Sequence, residues 1–258
     1  MKLKMRGLNL QDNEKESIRL QVFLAHCGVA SRRASEVYIA DGRVSVNGEI
    51  VTQPGTKVLL TDKICVDGKE VKLEGQNRYV LLNKPAGYVC SLSDEKGRIT
   101  AADILAPHFS ERLYNVGRLD MFSTGLVIFT NDGDFAAMVS HPSSEMEKEY
   151  IVETSRPLPD DLPKRFMKGI RIDNVFYRCK LAEKINSHKI RIILIEGKNR
   201  EIRRVFESFE IGIRKLTRVR IGCVEMGNLQ EGSFRELTKD EVKSLKLLCC
   251  DKKNIGGF

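Results

Sequence analysis

Asp120 follows Gly117, Arg118 and Leu119 and stands shortly before an unbroken apolar run, Leu126 to Phe129, in a chain of 258 residues with a net charge of +8. A carboxylate so placed could pair with Arg118, hold a turn, or act on a bound substrate. Gly117 permits close backbone approach, and the apolar run supplies a rigid strand with Asp120 at its mouth. No second carboxylate stands at useful spacing, and no histidine base or glycine-rich phosphate loop accompanies Asp120. This argues against hydrolysis by paired acids, phosphoryl transfer and cofactor redox chemistry. Seven cysteines and four histidines fall at no metal-ligand spacing. The expectation is reduced thiols in a cytoplasmic protein with neither metal nor cofactor, and the adjacent Cys249 and Cys250 read as a tail feature.

The second chemical signal is a concentration of positive charge. Between Lys198 and Arg220 there are eight Lys or Arg and three Glu, more than half of the surplus of the whole chain in twenty-three residues. Arg200, Arg203 and Arg204 crowd the first turns of one helix, and Arg214, Lys215, Arg218 and Arg220 interrupt the strand after it. Such a cluster favours a phosphate-bearing partner, with nucleic acid foremost. No run of eighteen apolar residues is present, so no membrane span is expected, and the charged start "MKLKMRGLNLQDNEKES" does not read as a secretory signal.

These residues need elements to hold them. The hydrophobic pattern gives an α+β chain with a small front module at 18–75, a linker around "KLEGQNR", and a larger domain at 78–248. In the front module Leu20, Phe23 and Leu24 mark a first helix. Ser31 caps a second, with Ala34, Val37 and Tyr38 on one face, and short strands follow around Val44–Val46 and Lys63–Val66. Arg32 and Arg33 open that second helix against its dipole, a placement that phosphate contact explains better than local stability. The larger domain reads as a mixed, largely antiparallel sheet flanked by helices. Its strands include Tyr79–Lys84, a resumption at "YVCS", Leu126–Thr130, "EKEYIVET", "KIRIILIEG" and "IRKLTRVRIG". One helix is capped by Asp134 and carries Phe135, Met138 and Val139. Another carries Ile202, Val205, Phe206 and Phe209, and a last one is capped by Thr238.

The stretch "RLQVFLAHCGVASRRASEVYIADGRVSVNGEIV" resembles the small RNA-binding domain first recognised in a small-subunit ribosomal protein. "VGRLDMFSTGLVIFTNDGD", with "LLNKPAGYVCS", "EMEKEYIV" and "IEGKNREIRRVFESFEIGIRKLTRVRIG", resembles the RsuA/RluB/RluE/RluF family of bacterial pseudouridine synthases. The likeness runs from Ile18 to about Leu247, with Ser123 where many members have threonine. It implies that a uridine within a folded RNA is isomerised: the N-glycosidic bond breaks, the uracil turns while bound, and it is reattached through carbon five. This exchange conserves atoms and redox state, so it requires no group donor. By the resemblance Asp120 is the catalytic aspartate, Tyr150 stacks on the target base, Arg203 pairs with the aspartate and Leu216 lines the uracil pocket. Arg118 would hold the RNA backbone or brace the aspartate loop. Lys84, Arg200, Arg204, Arg218, Arg32 and Arg33 join the substrate-binding set.

The rival readings are a non-catalytic RNA-binding or ribosome-assembly protein, and another RNA-modifying enzyme such as a methyltransferase. The first shares the basic surfaces but needs neither Asp120 nor Leu216, and the glycine-rich cofactor loop of the second is not visible. The expected partner is ribosomal RNA or a pre-ribosomal particle, with transfer RNA an occasional target. The "EKEY" and "GKNREIRR" forms lean toward large-subunit RNA. Membrane is excluded as a partner, and a monomer is the default.

Overall fold

The computed structural model describes residues 17–92 and 94–251; the charged segment 1–16, read above as lacking a secretory signal, lies outside them. The chain divides into two compact units, residues 1–77 and 78–258.

The first unit begins with β1 (Ser17–Arg19), followed by α1 (Leu20–His26) and α2 (Arg32–Ala40). Next come β2 (Val44–Val46), β3 (Glu49–Ile50), β4 (Lys57–Leu59), β5 (Ile64–Val66) and β6 (Lys69–Glu70). β1 pairs with β4, and the order β3-β2-β5-β6 makes a small antiparallel sheet. Leu20, Phe23 and Leu24 are buried with Ile39, Val44, Val58 and Ile64. The Ser31 hydroxyl accepts the Ala34 amide at 3.2 Å and starts α2 at Arg32, as its sequence predicts. The buried face of α2 is not the one expected, however. Ser35 and Ile39 face inward while Val37 is 55% exposed, because Ile39 is the residue of α2 that packs into the core with Leu20, Phe23 and Leu24, and Gln21 of α1 donates to Glu36 alongside it. Tyr38 is half-buried beneath the Arg43 guanidinium, 4.0 Å over its ring, and Arg43 in turn pairs with Asp67. Arg32 and Arg33 stay exposed in a first turn without acidic residues.

The second unit is built on one large sheet. In chain order its elements are β7 (Tyr79–Lys84), α3 (Ala101–Leu105), β8 (Tyr114–Val116), β9 (Thr124–Thr130), α4 (Gly133–Ser140) and β10 (Lys148–Thr154). There follow α5 (Leu162–Lys168), β11 (Ile170–Ile172), β12 (Val175–Tyr177), β13 (Leu181–Asn186), β14 (Lys189–Leu194) and α6 (Glu201–Ser208). β15 (Ile213–Ile221), β16 (Val224–Glu225), β17 (Phe234–Glu236) and α7 (Lys239–Asp251) complete it. The strand order is β13-β14-β10-β15-β9-β7-β17, with β16 on β15 and β8 on β9. Every pairing is antiparallel except β15 with β9. The mixed sheet with flanking helices is the expected one, and the "YVCS" stretch is its exception: Val89 makes a single bridge to Thr100 and no strand forms.

The apolar run in β9 is continuous because both faces of this sheet are covered. Val127 and Phe129 pack with Ala101 and Leu105 of α3, Leu162 and Phe166 of α5, and Ile202, Val205 and Phe206 of α6. Leu126 and Ile128 pack on the other side with Phe135 and Val139 of α4 and Leu245 and Cys249 of α7. Fully burying side chains such as Phe129, Phe135, Phe166 and Phe206 stabilises the fold by about 1.5–3 kcal/mol each. Cys249 is thus core. Asp132, not Asp134, caps α4: its carboxylate accepts the Phe135 amide at 2.9 Å, since the helix begins at Gly133. Thr100 closes a capping box on α3, and Thr238 accepts the Glu241 amide at the start of α7.

The β9–β15 junction is narrow. It consists of two facing pairs, Thr217 with Thr124 and Arg218 with Gly125. The two threonine hydroxyls share a hydrogen bond of 2.8 Å, and Arg218 Nε donates to the Leu126 carbonyl at 2.7 Å. Gly125 has φ +105, and a Cβ there would meet the Arg218 amide nitrogen at 2.6 Å and its carbonyl carbon at 2.9 Å. Gly125→Ala is therefore expected to cost about 3 kcal/mol or more, from positive-φ strain together with backbone overlap. Urea denaturation checks this, and a loss below about 1 kcal/mol would mean that the strands part without penalty.

Candidate active site

β8 ends at Val116, and Gly117, with φ +72, turns the chain toward Arg118. Leu119 is buried with its amide directed at Cys90 Sγ at 3.4 Å, which leaves Asp120 facing the opposite way, its side chain 33% exposed. The Ser123 amide donates to the Asp120 carbonyl at 3.0 Å and closes a tight turn before β9. Two cations hold this turn. From beneath, Lys84 Nζ donates to the carbonyls of Pro85 (2.8 Å), Tyr88 (3.0 Å) and Met121 (3.1 Å), and the Gly87 amide also reaches Met121 at 2.9 Å. From α6, Arg203 Nη2 donates to the Phe122 carbonyl at 3.2 Å and to Ser123 Oγ at 3.1 Å, while its Nε lies 3.6 Å from Asp120 Oδ2. Burial lowers the pKa of Arg203 and the Asp120 carboxylate opposes that shift. Burial likewise lowers that of Lys84, with Asp120 among the groups pulling it back.

The other wall comes from the middle of the sheet. Tyr150 of β10 stands opposite Arg218 of β15, and Val152 stands opposite Leu216, so Tyr150 and Leu216 are diagonal neighbours. A register shift between Glu149 and Tyr150 re-aims the tyrosine at the strand's site end. Asp120, Ser123, Tyr150, Leu216 and Arg203 line one small pocket of about 90 Å³, with Arg118 and Arg200 at its edges. That is well below the roughly 300–1,000 Å³ of a larger ligand site and suits a single ring. Arg118, Tyr150, Gly197 and Lys198 also border a wider cleft of about 800 Å³. Lys148 and Arg218 enter this cleft. Burial, reinforced by Arg218, pushes the Lys148 pKa down to about 8, and its ammonium donates to the Met146 and Ile195 carbonyls.

The structure thus gathers Asp120, Arg203, Tyr150, Leu216, Arg118 and Arg200 around one pocket, although Asp120 and Arg203 are eighty-three residues apart in sequence. Of the expected RNA contacts in this unit, three do not line the pocket. Lys84 is fully buried and spends its donors on carbonyls, so it holds up the Asp120 turn and has no surface to offer RNA. Arg218 is 3% exposed and braces the β9–β15 junction, with Nη2 left unpartnered. Arg204 faces a separate hollow with Asp173 and Glu207. Sequence reasoning passed over Lys198 and Glu201, which also line the pocket; the Glu201 carboxylate accepts the Lys198 amide at 3.1 Å. The signal was the Lys-x-x-Glu spacing, hidden by attention to the arginines.

A carboxylate thus stands beside a guanidinium at the mouth of a ring-sized pocket walled by a tyrosine and a leucine, an arrangement compatible in size and chemistry with a planar base. Residues 78–208 match the RNA pseudouridylate synthase family and residues 18–64 match the S4 domain. An uncharacterized RNA pseudouridine synthase of Borreliella burgdorferi is 41% identical over 233 residues, covering 88% of this chain and 93% of that one. The ribosomal large subunit pseudouridine synthase B of Bacillus subtilis is 38% identical, over 92% of this chain and 98% of its own. A crystal structure of a pseudouridylate synthase superposes with a TM-score of 0.64 at 28% identity, covering 88% of this chain and 99% of the other. The chain belongs to the RNA pseudouridine synthase family and carries an S4 RNA-binding domain.

Proposed function

We propose that the protein converts a single uridine of ribosomal RNA, in the large subunit by preference, to pseudouridine, as a member of the RsuA/RluB/RluE/RluF branch acting as a cytoplasmic monomer. The observation that carries the chemistry is the convergence of Asp120, Arg203, Tyr150 and Leu216 on one ring-sized pocket. The large-subunit preference is supported by the likeness to the ribosomal large subunit pseudouridine synthase B of Bacillus subtilis.

In this reading the uridine leaves its stack and enters the pocket. Unstacking costs about a few kcal/mol, which the faces of Tyr150 and Leu216 partly offset. Asp120 then acts at the ribose or the base, as nucleophile or as proton acceptor, and Arg203 fixes the carboxylate's direction. The freed uracil turns between Tyr150 and Leu216 and rejoins through carbon five. The test is to map pseudouridines in ribosomal and transfer RNA from cells with and without the gene. Loss of one large-subunit site is expected, whereas an unchanged map of both RNAs would overturn the reading.

The two units should divide the work. Arg203→Ala is expected to lower kcat by about 10²-fold with little change in RNA affinity, because it removes the group that aims Asp120. Arg32→Ala should leave saturated turnover intact and flatten the salt dependence of binding by about one unit of slope, as the loss of one phosphate contact would. Titrations at several salt concentrations with single-turnover rates separate the two. Equal loss of turnover in both at saturating RNA would contradict the division.

A further inference from the structure

The pocket with Asp120 at its mouth has a second carboxyl group in its wall. Glu201 lines it beside Ile202 and Arg203 and is 3% exposed, whereas the Asp120 side chain is 33% exposed, so Glu201 belongs to the depth of the pocket. The group is locked where it stands. Glu201 Oε2 accepts the Lys198 amide at 3.1 Å, the Glu201 amide donates to the Lys198 carbonyl at 3.2 Å, and Lys198 Nζ donates to the Phe176 carbonyl at 2.8 Å. The other carboxyl oxygen, Oε1, is buried and has no hydrogen-bond partner among the described residues. Arg203 Nε shares that condition in this pocket, but it still faces the Asp120 carboxylate at 3.6 Å. A buried acceptor without a donor calls for a ligand group that supplies one.

The chemistry of a pyrimidine says which group that is. With the ribose at Asp120, the edge of the ring remote from the glycosidic bond goes deepest, and in uracil that edge carries the N3–H donor and the carbonyl of carbon four. Of these only the N3–H suits an oxygen. Cytosine bears a lone pair at N3 and would leave the oxygen unpaired. The ring's turn keeps the match. Turning it over about the line from N3 to carbon six exchanges N1 with carbon five and leaves N3 in place. Turning it in its own plane, so that carbon five reaches the ribose, brings N1 to the place N3 held, and N1 carries a hydrogen in the product. By either route the same oxygen meets an N–H before and after the exchange.

We propose that Glu201 Oε1 accepts the N3–H of the target uracil, selecting uracil over cytosine and meeting an N–H of the ring again once it has turned. This rests on the reading of the protein as a pseudouridine synthase.

The test uses the full chain carrying Asp120→Asn, which keeps the bound uridine unreacted, and RNA hairpins with the mapped uridine opposite an abasic site and isotope-labelled at N3. The N3–H proton resonance, lost to solvent exchange in the free hairpin, is expected to appear on binding and to show a nuclear Overhauser contact with the Glu201 side chain. Both are read with Glu201 intact, so the absence of either overturns the proposal whether or not a Glu201 variant folds. In Glu201→Met the resonance should vanish, and its survival there would also overturn the proposal. The preference for this hairpin over one with cytidine at the same place should fall at least about tenfold in Glu201→Met, and a smaller fall counts against Glu201 as the selecting group. If the resonance and its contact appear while the protein with Asp120 intact forms no pseudouridine, the role of Glu201 stands and the reaction assignment fails.

Discussion

Asp120→Asn is expected to yield a protein that folds and binds RNA yet forms pseudouridine at least about 10³-fold more slowly. The substitution keeps the size of the side chain and removes its charge and basicity. Little stability should go with it, about 1 kcal/mol or less, because the carboxylate is one-third exposed and its contact with Arg203 is 3.6 Å long. Arg203 keeps its bonds to the Phe122 carbonyl and Ser123 Oγ, so the turn retains its shape. Single-turnover assays alongside RNA binding check both halves of the expectation. Turnover within about tenfold of the original would remove Asp120 from the chemistry.

A large effect on stability, joined to one on turnover, is expected at Lys84. Lys84→Met keeps the length and the apolar stem, yet strands the carbonyls of Pro85, Tyr88 and Met121, of which only Met121 has a second donor, the Gly87 amide. Each buried orphan costs about 1–3 kcal/mol, and the ammonium's own desolvation penalty returns part of that, so a net loss of about 2–4 kcal/mol is expected. The catalytic turn would also loosen, and kcat should fall at least about tenfold although Lys84 meets no substrate. The pH dependence has a definite sign. Burial lowers the Lys84 pKa in the folded state, so the unfolded chain binds more protons between that lowered value and the ordinary 10.5. Wild type therefore gains stability relative to Lys84→Met as the pH rises through that window. A gap that narrows with rising pH would contradict the burial that disfavours the Lys84 ammonium beneath the turn.

These two residues show what sequence can and cannot tell. Asp120 was legible because its glycine, arginine and following apolar run form a compact local pattern, and β9 itself was legible because burial on both faces leaves it no polar alternation. The α6 face was legible from Ile202, Val205 and Phe206 at helical spacing. Lys84 was misjudged because a lysine's letter carries no information about burial, and the carbonyls that hold it converge only when the chain turns at Pro85 and returns at Met121. The hairpin of β11 and β12 was passed over although Asp173 and Asn174, both at positive φ, stand between two short apolar runs. At α4 two aspartates competed for one cap, and the helix start at Gly133 decided for Asp132; Asp134 falls in the first turn, where its charge still complements the helix dipole. The approach of Arg203 to Asp120 depends on the whole sheet being assembled, and no local pattern announces it.

The narrow meeting of β9 and β15 has a further meaning. Asp120 rides on the half of the sheet that contains β7, β8 and β9, and Tyr150 and Leu216 ride on the half that contains β10, β14 and β15. The distance from the Asp120 carboxylate to Tyr150 and Leu216 therefore belongs to neither half. It is gauged where one backbone rests against another at Gly125 and Arg218, with no side chain between them to act as a shim. One methyl group added at Gly125 would press those two backbones apart, so the finest tolerance of the sheet is set by an atom the chain leaves out.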